Sequence, residues 1–580
     1  MGQRLAKHYM DDGVRLYHVQ HRQAAVDKWR HALDRLKNSE DRFITMGYLA
    51  QAYCEVGNFH EMLTFAMHQI DLANQCADSY MKAEAYLNLA RASERLSEFH
   101  KAISYARHSI QHQSMDPRTP GYAYLCMAQA YLGFSQFQLA LEHYELSMQV
   151  ASNTADKLLE LQICVGLGSL FTQLRDLAKA VIFLQNALAL LKTISLGDVQ
   201  AKYRSLILFH LSVALRKNGS LVDSRSAAEE ALRLATDSGH QPIQARCLLS
   251  LGDVHQELGE KEAALMHYDS AYSMMREMDD KLGQVAVLTS LAKAAGEAHR
   301  TDSRQCECQA LQLNKKCLEL AKQIGCKLAM LKCHSRLQDL YAQLSDDESE
   351  DIAKKAVTAL TQELEMYCNF CGQRFGHRDE SLQALPCSHL FHQRCLHNTL
   401  GQRVNKDCPK CAHQHRSTSS VGGHKQQQQQ QAAARQFVSQ PSTSQHMTVI
   451  DQPPSSSSRR TSVSTVTSVA AVPDVFAQAH LPDFQGGSKI DHSHQNTTAT
   501  INRADSVTPT TGARGTDFLS PSAGLGASNA SPSAQSVDAL LQQLVKHQST
   551  NTTTATNTAT GGGSPTKILT TAHLHNVADV

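Results

Sequence analysis

The residues whose types and spacing could do chemistry lie in one short stretch of this chain. It reads Cys368-x2-Cys371, fifteen residues, Cys387-x-His389-x2-His392-x2-Cys395, twelve residues, then Cys408-x2-Cys411. Thiolate and imidazole are donors that Zn2+ prefers, and a structural zinc takes four of them in a tetrahedron. Eight donors in four pairs therefore suit two Zn2+ ions, where a zinc ribbon would use four donors and one ion. So small a unit has too little core to fold well alone, and the metals would hold it together.

The central Cys-x-His-x2-His-x2-Cys resembles the RING family of the two-histidine kind, over residues 367–412. The resemblance implies interleaved ligation. Cys368, Cys371, His392 and Cys395 would hold one ion, and Cys387, His389, Cys408 and Cys411 the other. RING ubiquitin ligases have no nucleophile of their own; they position a charged conjugating enzyme. Similarity to them implies a docking patch at Phe370 and Pro409. The arginine that ligases often carry directly after the last ligand is Ala412 here, and the nearest is Arg416. Transfer of ubiquitin or a related modifier and pure binding are both compatible with such a module.

What must position this cluster is read from composition. Of 580 residues, 56 are Lys or Arg and 55 Asp or Glu, a balance that predicts no nucleic-acid partner. No apolar run reaches the roughly 20 residues of a membrane span, and no secretory signal opens the chain. Of the 16 cysteines, ten are scattered singly, which reads as a reducing compartment. The closest of these, Cys306 and Cys308, read as ordinary surface thiols. Residues 6–366 are rich in Ala, Leu, Glu, Gln and Lys. From about 417 to 580 the chain turns to Ser, Thr, Gln, Ala and Gly. That tail cannot bury enough apolar surface to offset its entropy and is expected to be disordered.

The first part repeats. Small residues recur where two helices of a hairpin must approach, with large ones filling the gaps: Gly13, Ala25, Trp29 and Ala32 in the first repeat, Gly168, Phe171, Ala180 and Leu184 in the fifth, Gly252, Ala264, Tyr268 and Ala271 in the seventh. This is the rule of the tetratricopeptide (TPR) repeat. Seven copies fall at approximately 6–39, 43–76, 83–116, 121–154, 161–194, 205–238 and 245–278. Such hairpins stack into a curved array with a long concave face for peptides or helices. Residues 285–366 are helical but less regular. Leu313, Cys317, Leu320 and Ile324 follow coiled-coil spacing, yet the pattern breaks at Gly325, so two further hairpins are expected over a coiled coil. The acidic run Asp346–Asp351 reads as a solvated turn and helix start. The fold class is thus an all-α TPR solenoid, a small two-zinc RING domain and a long disordered tail.

At the other end, residues 1–5 form a candidate acylation segment. Gly2 is the acceptor position for myristate, although Ala6 stands where Ser or Thr is usual. Arg4, Lys7 and Arg15 could add electrostatic attraction to a membrane. In the tail, Arg459-Arg460-Thr461-Ser462 matches a basophilic kinase site, with Ser462 the candidate phosphosite, and Val537, Leu540, Leu541, Leu544 and Val545 share one face of a short helix.

Gly2, seven long repeats, a further helical segment and a two-histidine RING occur in the order found in the rapsyn family. The stretch Leu382–His392 also resembles that family's RING. Rapsyn-family proteins are peripheral scaffolds that cluster nicotinic acetylcholine receptors. The resemblance covers about residues 1–412. It implies myristate on Gly2, self-association through the TPRs and contact with the receptor's intracellular region through the helices before the RING. It also implies links to dystroglycan and the cytoskeleton through the RING, ligase activity with a ubiquitin-conjugating enzyme, and a place on the cytoplasmic face of the postsynaptic plasma membrane. The tail has no counterpart in the vertebrate form and implies an invertebrate relative.

Overall fold

The computed structural model describes residues 2–112, 114, 116–194, 197–299, 304–376, 380–385, 387–400 and 408–411. Ser462, Ala412, Arg416 and the whole segment 417–580 lie outside the described residues, as does the side chain of Cys306.

Up to Leu364 every element is a helix, and the helices come in antiparallel pairs. The first four pairs are α1 (Gly2–His18) with α2 (Arg22–Leu33), α3 (Ser39–Glu55) with α4 (Phe59–Gln75), α5 (Ser79–Arg95) with α6 (Phe99–Gln111), and α7 (Thr119–Gly133) with α8 (Phe137–Thr154). The next three are α9 (Lys157–Leu174) with α10 (Leu177–Lys192), α11 (Gly197–Lys217) with α12 (Leu221–Asp237), and α13 (Gln241–Leu258) with α14 (Lys261–Glu277). Two more pairs follow, α15 (Lys281–His299) with α16 (Arg304–Ile324) and α17 (Lys327–Gln343) with α18 (Asp347–Leu364). The strands β1 (Leu382–Ala384) and β2 (Leu390–His392) and the helix α19 (Gln393–Leu400) close the described chain.

Local chemistry sets the ends of these helices. Side chains accept from orphan backbone N–H groups at several starts: Asn38 from Glu40, Asp78 from Tyr80 and Met81, Asp156 from Leu158 and Leu159. Asp346, in the acidic run, caps α18, and Asp347, Glu348 and Glu350 fill its first turn, where the helix dipole favours them. Residues with positive φ, among them Gly57, Ser97, Ser135 and Arg175, end helices and reverse the chain.

Within a pair the helices nearly touch. A Cβ on Gly168 would lie 2.7 Å from Leu184, and one on Gly252 would lie 2.6 Å from Tyr268. Gly13 similarly lies flat against the Trp29 indole, whose Nε1 donates to Met10 O at 3.1 Å. A second pin recurs at a constant separation. Gln69 bonds Phe43 O, Ser109 bonds Ala83 O, Ser147 bonds Gly121 O and Ser205 bonds Ala231 O, each across 26 residues at 2.7 to 2.9 Å. These bonds join the outer ends of a hairpin's two helices. Leu313, Cys317 and Ile324 in α16 are buried. The Cys317 thiol lies 3.4 Å from Thr289 and 3.6 Å from Val285 O of α15, so their spacing serves an antiparallel hairpin seam.

The array winds back on itself, and the central turns of hairpins one to four meet the hairpin five or six places on. Arg22 donates to Ser238 O beside His240, and Gly57 packs on Met278. Leu282 N donates to Ser97 Oγ and Leu328 N to Ser135 Oγ, both at 3.0 Å. At the first of these contacts sits a buried charge cluster. Glu55, 6% exposed, accepts from Tyr17, from Arg22 at 3.3 Å and from Lys202 at 3.1 Å. One apolar core therefore links hairpins two to five and seven to nine with the RING residues Phe391 and Leu396, and hairpin six packs in smaller clusters beside it. The inner wall of the array lines a cavity of 290 Å3.

Candidate metal centres and their seat on the array

The RING follows α18 almost without a linker. Glu365 adopts a left-handed conformation, and Tyr367 pairs with Arg374 in a short bridge that turns the chain between Cys368 and Phe375. Gly372 N donates to Cys368 O at 2.7 Å, which folds Cys368 and Cys371 back as one knuckle. β1 and β2 then form an antiparallel hairpin with Leu382 opposite His392. That register carries Cys387 and His389 in the connecting turn and His392 at the end of β2. Cys395 follows in the first turn of α19, and Cys408 and Cys411 flank a short helical turn.

This path gathers the donors into two groups of four. Cys368, Cys371, His392 and Cys395 form one, and Cys387, His389, Cys408 and Cys411 the other, the ligand atoms within each lying within 4.8 Å of one another. Cys371 Sγ is 3.3 Å from His392 Nδ1; His389 Nδ1 is 3.4 Å from Cys387 Sγ and 3.5 Å from Cys411 Sγ. A tetrahedral zinc with its usual bond lengths would set sulfur and nitrogen about 3.6 Å apart, so the donors already stand close to the edges of such a tetrahedron. Their electrostatics also suit a cation. Burial, with Cys371 and Cys368 crowded alongside, pushes the Cys395 thiol up to about 12. Burial with Cys387 and Cys408 does the same to Cys411. Thiols so placed give up protons only to a counter-charge, which a divalent ion supplies. Burial, with Lys410 nearby, holds His389 below the ordinary imidazole range, in its neutral, ligating form.

The residues flagged as a docking patch are partly accessible. Phe370 is half-buried with its ring 5.0 Å from that of Phe391, and Pro409 is half-buried. Between them Lys410 is buried; it lies 3.1 Å from Glu365 and over the rings of Tyr367 and Phe391.

Sequence reading missed how the module is held. Asp176, 5% exposed, caps α10 through Lys179 N at 3.1 Å. Its other oxygen accepts from Leu382 N at 2.8 Å and Ser381 Oγ at 3.2 Å. Lys179 donates back to Leu382 O. Gln138 donates to Cys387 O at 3.1 Å, and Ser388 donates to Glu145 at 2.9 Å. Hairpins four and five thus grip β1 and the turn that bears Cys387 and His389. The geometry continues the winding of the array. Backbone amides of Leu282 and Leu328 bond turn residues five hairpins earlier, and the amide of Leu382 does the same, so the RING sits where a tenth hairpin would.

At the far end, Gly2 opens α1 and is exposed with nothing within 4 Å of where a Cβ would stand. Arg4, Lys7 and Arg15 are exposed, whereas Ala6 is fully buried.

A wound array of helical repeats with a RING built into its end defines the class: a TPR–RING protein. Comparison with known proteins narrows it. A family model for "Rapsyn N-terminal myristoylation and linker region" matches residues 1–79, a tetratricopeptide-repeat model residues 203–277 and a Ring finger domain model residues 366–412. The "43 kDa receptor-associated protein of the synapse" of Tetronarce californica is 34% identical over 413 residues, 71% of this chain and 98% of the relative. Its Gallus gallus counterpart is 36% identical over 415 residues, with the same coverage. Among solved structures, a Rap protein complexed with competence and sporulation factor aligns at 12% identity and a TM-score of 0.46, over 63% of this chain and 99% of that one. The chain belongs to the rapsyn family.

Proposed function

We propose that this protein is a membrane-tethered cytoplasmic scaffold that clusters nicotinic acetylcholine receptors and anchors them to the cytoskeleton at the postsynaptic membrane. The observation that carries the reading is the family relation across 71% of this chain and 98% of each receptor-associated relative. Gly2 takes a myristoyl chain; its exposed position at the tip of α1 and the match over residues 1–79 support this. Among the described residues no helix is long and apolar enough to cross a membrane. One myristoyl chain binds membranes only marginally, so self-association through the TPR hairpins adds the avidity that holds the assembly there. The hairpins α15–α18 contact the receptor's intracellular region, and the RING, loaded with two Zn2+, contacts dystroglycan and the cytoskeleton.

A second reading, a RING-type ligase whose TPRs select the substrate, is favoured by the partial exposure of Phe370 and Pro409. Discharge of a charged ubiquitin-conjugating enzyme by the full chain tests it. A ligase loses discharge on Phe370→Ala with zinc content unchanged; discharge at background in the parent chain removes this reading. The scaffold is tested by co-expression with a nicotinic receptor in cells lacking both. Receptor patches that vanish with Gly2→Ala are expected; diffuse receptor with the parent chain would overturn the proposal.

A further inference from the structure

Three central turns of the array share one geometry. They read Leu96-Ser97, Phe134-Ser135 and Leu344-Ser345. Each serine takes a positive φ, of 60, 63 and 56°. The residue after it closes the turn in the same way: Glu98 N donates to Ser93 O at 2.8 Å, Gln136 N to Tyr131 O at 2.8 Å and Asp346 N to Tyr341 O at 3.0 Å. In the first two turns the hydroxyl is used. Ser97 Oγ and Ser135 Oγ accept from the amides of Leu282 and Leu328, each at 3.0 Å, and both serines are buried. Phe134 packs against Gly325, just before α17. In the third turn Ser345 is exposed, and its hydroxyl has no partner among the described residues. Leu344 is 43% exposed, where Leu96 is 3% and Phe134 6%.

A left-handed backbone is costly for any residue with a Cβ. Turns two, six and seven meet it with Gly57, Gly219 and Gly259. In turns three and four the bond that the hydroxyl accepts explains a serine; turn nine bears the same strain with that acceptor idle. The two docked segments show what fits such a turn. Both are helix starts that read Lys-Leu, Lys281-Leu282 in α15 and Lys327-Leu328 in α17. In both, the leucine amide is one of the orphan donors of a first helical turn. Turn nine adds charge. Asp347 stands where turns three and four carry Phe99 and Phe137, and Asp347 and Glu348 are exposed with no cation partner among the described residues. A second copy of this chain offers few such starts. Asn38, Asp78 and Asp156 already take the corresponding amides of α3, α5 and α9, and Pro120 and Pro242 lack one in α7 and α13. The start of α1 remains, and the proposed function gives it to the membrane.

We propose that the turn of hairpin nine, Leu344-Ser345-Asp346, docks a partner protein's helix whose first turn is basic and apolar. The helix gives a first-turn amide to Ser345 Oγ, seats an apolar side chain on Leu344 and turns its cations toward Asp347 and Glu348. The site lies on the hairpins that the proposed function gives to the receptor, but it rests on the turn geometry and not on which partner supplies the helix.

The probe is an N-acetylated, fluorescein-labelled peptide of the α17 sequence, residues 327–343, stapled as a helix; it opens Lys-Leu and carries Lys332 and Arg336 against one acid, Asp339. Anisotropy titration with the full-length protein should give saturable binding that weakens as sodium chloride rises. Ser345→Gly keeps the turn and removes only the hydroxyl, so this variant should melt at or above the parent Tm yet bind several-fold more weakly. Ser97→Gly and Ser135→Gly should instead lower the Tm, because their hydroxyls are already in use. Leu344→Ser should weaken binding about tenfold or more, and Lys327→Glu in the peptide should weaken it as well. No saturable binding, or binding that Ser345→Gly and Leu344→Ser both retain, would overturn the proposal. Sedimentation separates the other occupant: self-association of the parent that these two variants abolish would seat a second copy on the turn and overturn the partner helix.

Discussion

Replacing Asp176 by alanine should loosen the RING from the array without emptying its metal sites. The carboxylate has two separable tasks. One oxygen caps α10 through Lys179 N, and the other holds Leu382 N at 2.8 Å and Ser381 Oγ at 3.2 Å. Loss of an N-cap costs about 1 kcal/mol. A buried hydrogen bond to a charged group contributes about 1.5–3 kcal/mol. Removal of the acceptor also leaves the Leu382 amide unpaired, so about 2 kcal/mol is a conservative figure for the anchor alone. Asp78→Ala supplies the matched control: it strips the cap of α5, with bonds to Tyr80 N at 2.7 Å and Met81 N at 3.1 Å, and touches no RING residue. Native-state hydrogen exchange over 381–392 reads local opening directly. About 2 kcal/mol corresponds to about thirtyfold faster exchange in β1 and β2 of Asp176→Ala, with the control unchanged. Equal exchange of this segment in the two variants would refute the anchoring argument.

Glu55→Gln should lower the unfolding free energy in urea by about 3–5 kcal/mol, the cost of stripping one partner from a buried charge cluster; an unchanged midpoint would mean that the contact between Arg22, Lys202 and Glu55 holds nothing. Burial by itself raises the Glu55 carboxyl, but Lys202 and Arg22 outweigh it and bring it from 4.5 to about 2. A carboxyl depressed on folding stabilises fully above 4.5 and loses that contribution as pH falls toward 2, so the parent should show an acid slope in this window that Glu55→Gln lacks. Cys387→Ser should reduce zinc, counted by mass spectrometry of the native protein, from two ions per chain to one; retention of both would reassign the second donor group. Gly13→Val must force the Trp29 indole aside and should cost about 1–3 kcal/mol, with a shift in tryptophan emission; wild-type emission and stability would show that the interface yields freely.

What was legible in the sequence was local. Ligand pairs two residues apart announce a knuckle at any position in a chain. Gly13, Gly168 and Gly252 mark close approach because only a missing side chain fits against Trp29, Leu184 and Tyr268. The spacing of Leu313, Cys317, Leu320 and Ile324 could not by itself separate hairpin from coiled coil, since both bury one stripe of a helix. The winding was not legible. It is the sum of small rotations between nine hairpins, each set by many side chains. The seat of the RING depends on that sum. Asp176 reads in sequence as an ordinary helix cap, and nothing nearby announces a partner more than 200 residues later. The bonds across 26 residues left a faint signal, a Gln or Ser near the end of the second helix in hairpins two to four and Ser205 near the start of the first helix in hairpin six, which the small-residue rule does not include.

The seat bears on which reading of the RING is stronger. A ligase whose substrate is held at a distance gains from a module on a long, flexible tether, which lets it search for lysines. Here only residues 365–367 separate α18 from the first candidate ligand. Lys410 ties the last ligand pair to Glu365 at 3.1 Å. Hairpins four and five hold the opposite side through Asp176, Gln138 and Glu145. A module gripped from both sides presents its remaining surface at a fixed angle to the array and to the exposed Gly2 at its start. Fixed geometry between a membrane attachment and a docking face is what a scaffold needs if many copies are to form an ordered lattice. It also means that metal loss cannot stay local. Once the donors disperse, β1 loses its register, Asp176 loses the partners of one oxygen, and the fifth hairpin loses the neighbour that stands in for a tenth.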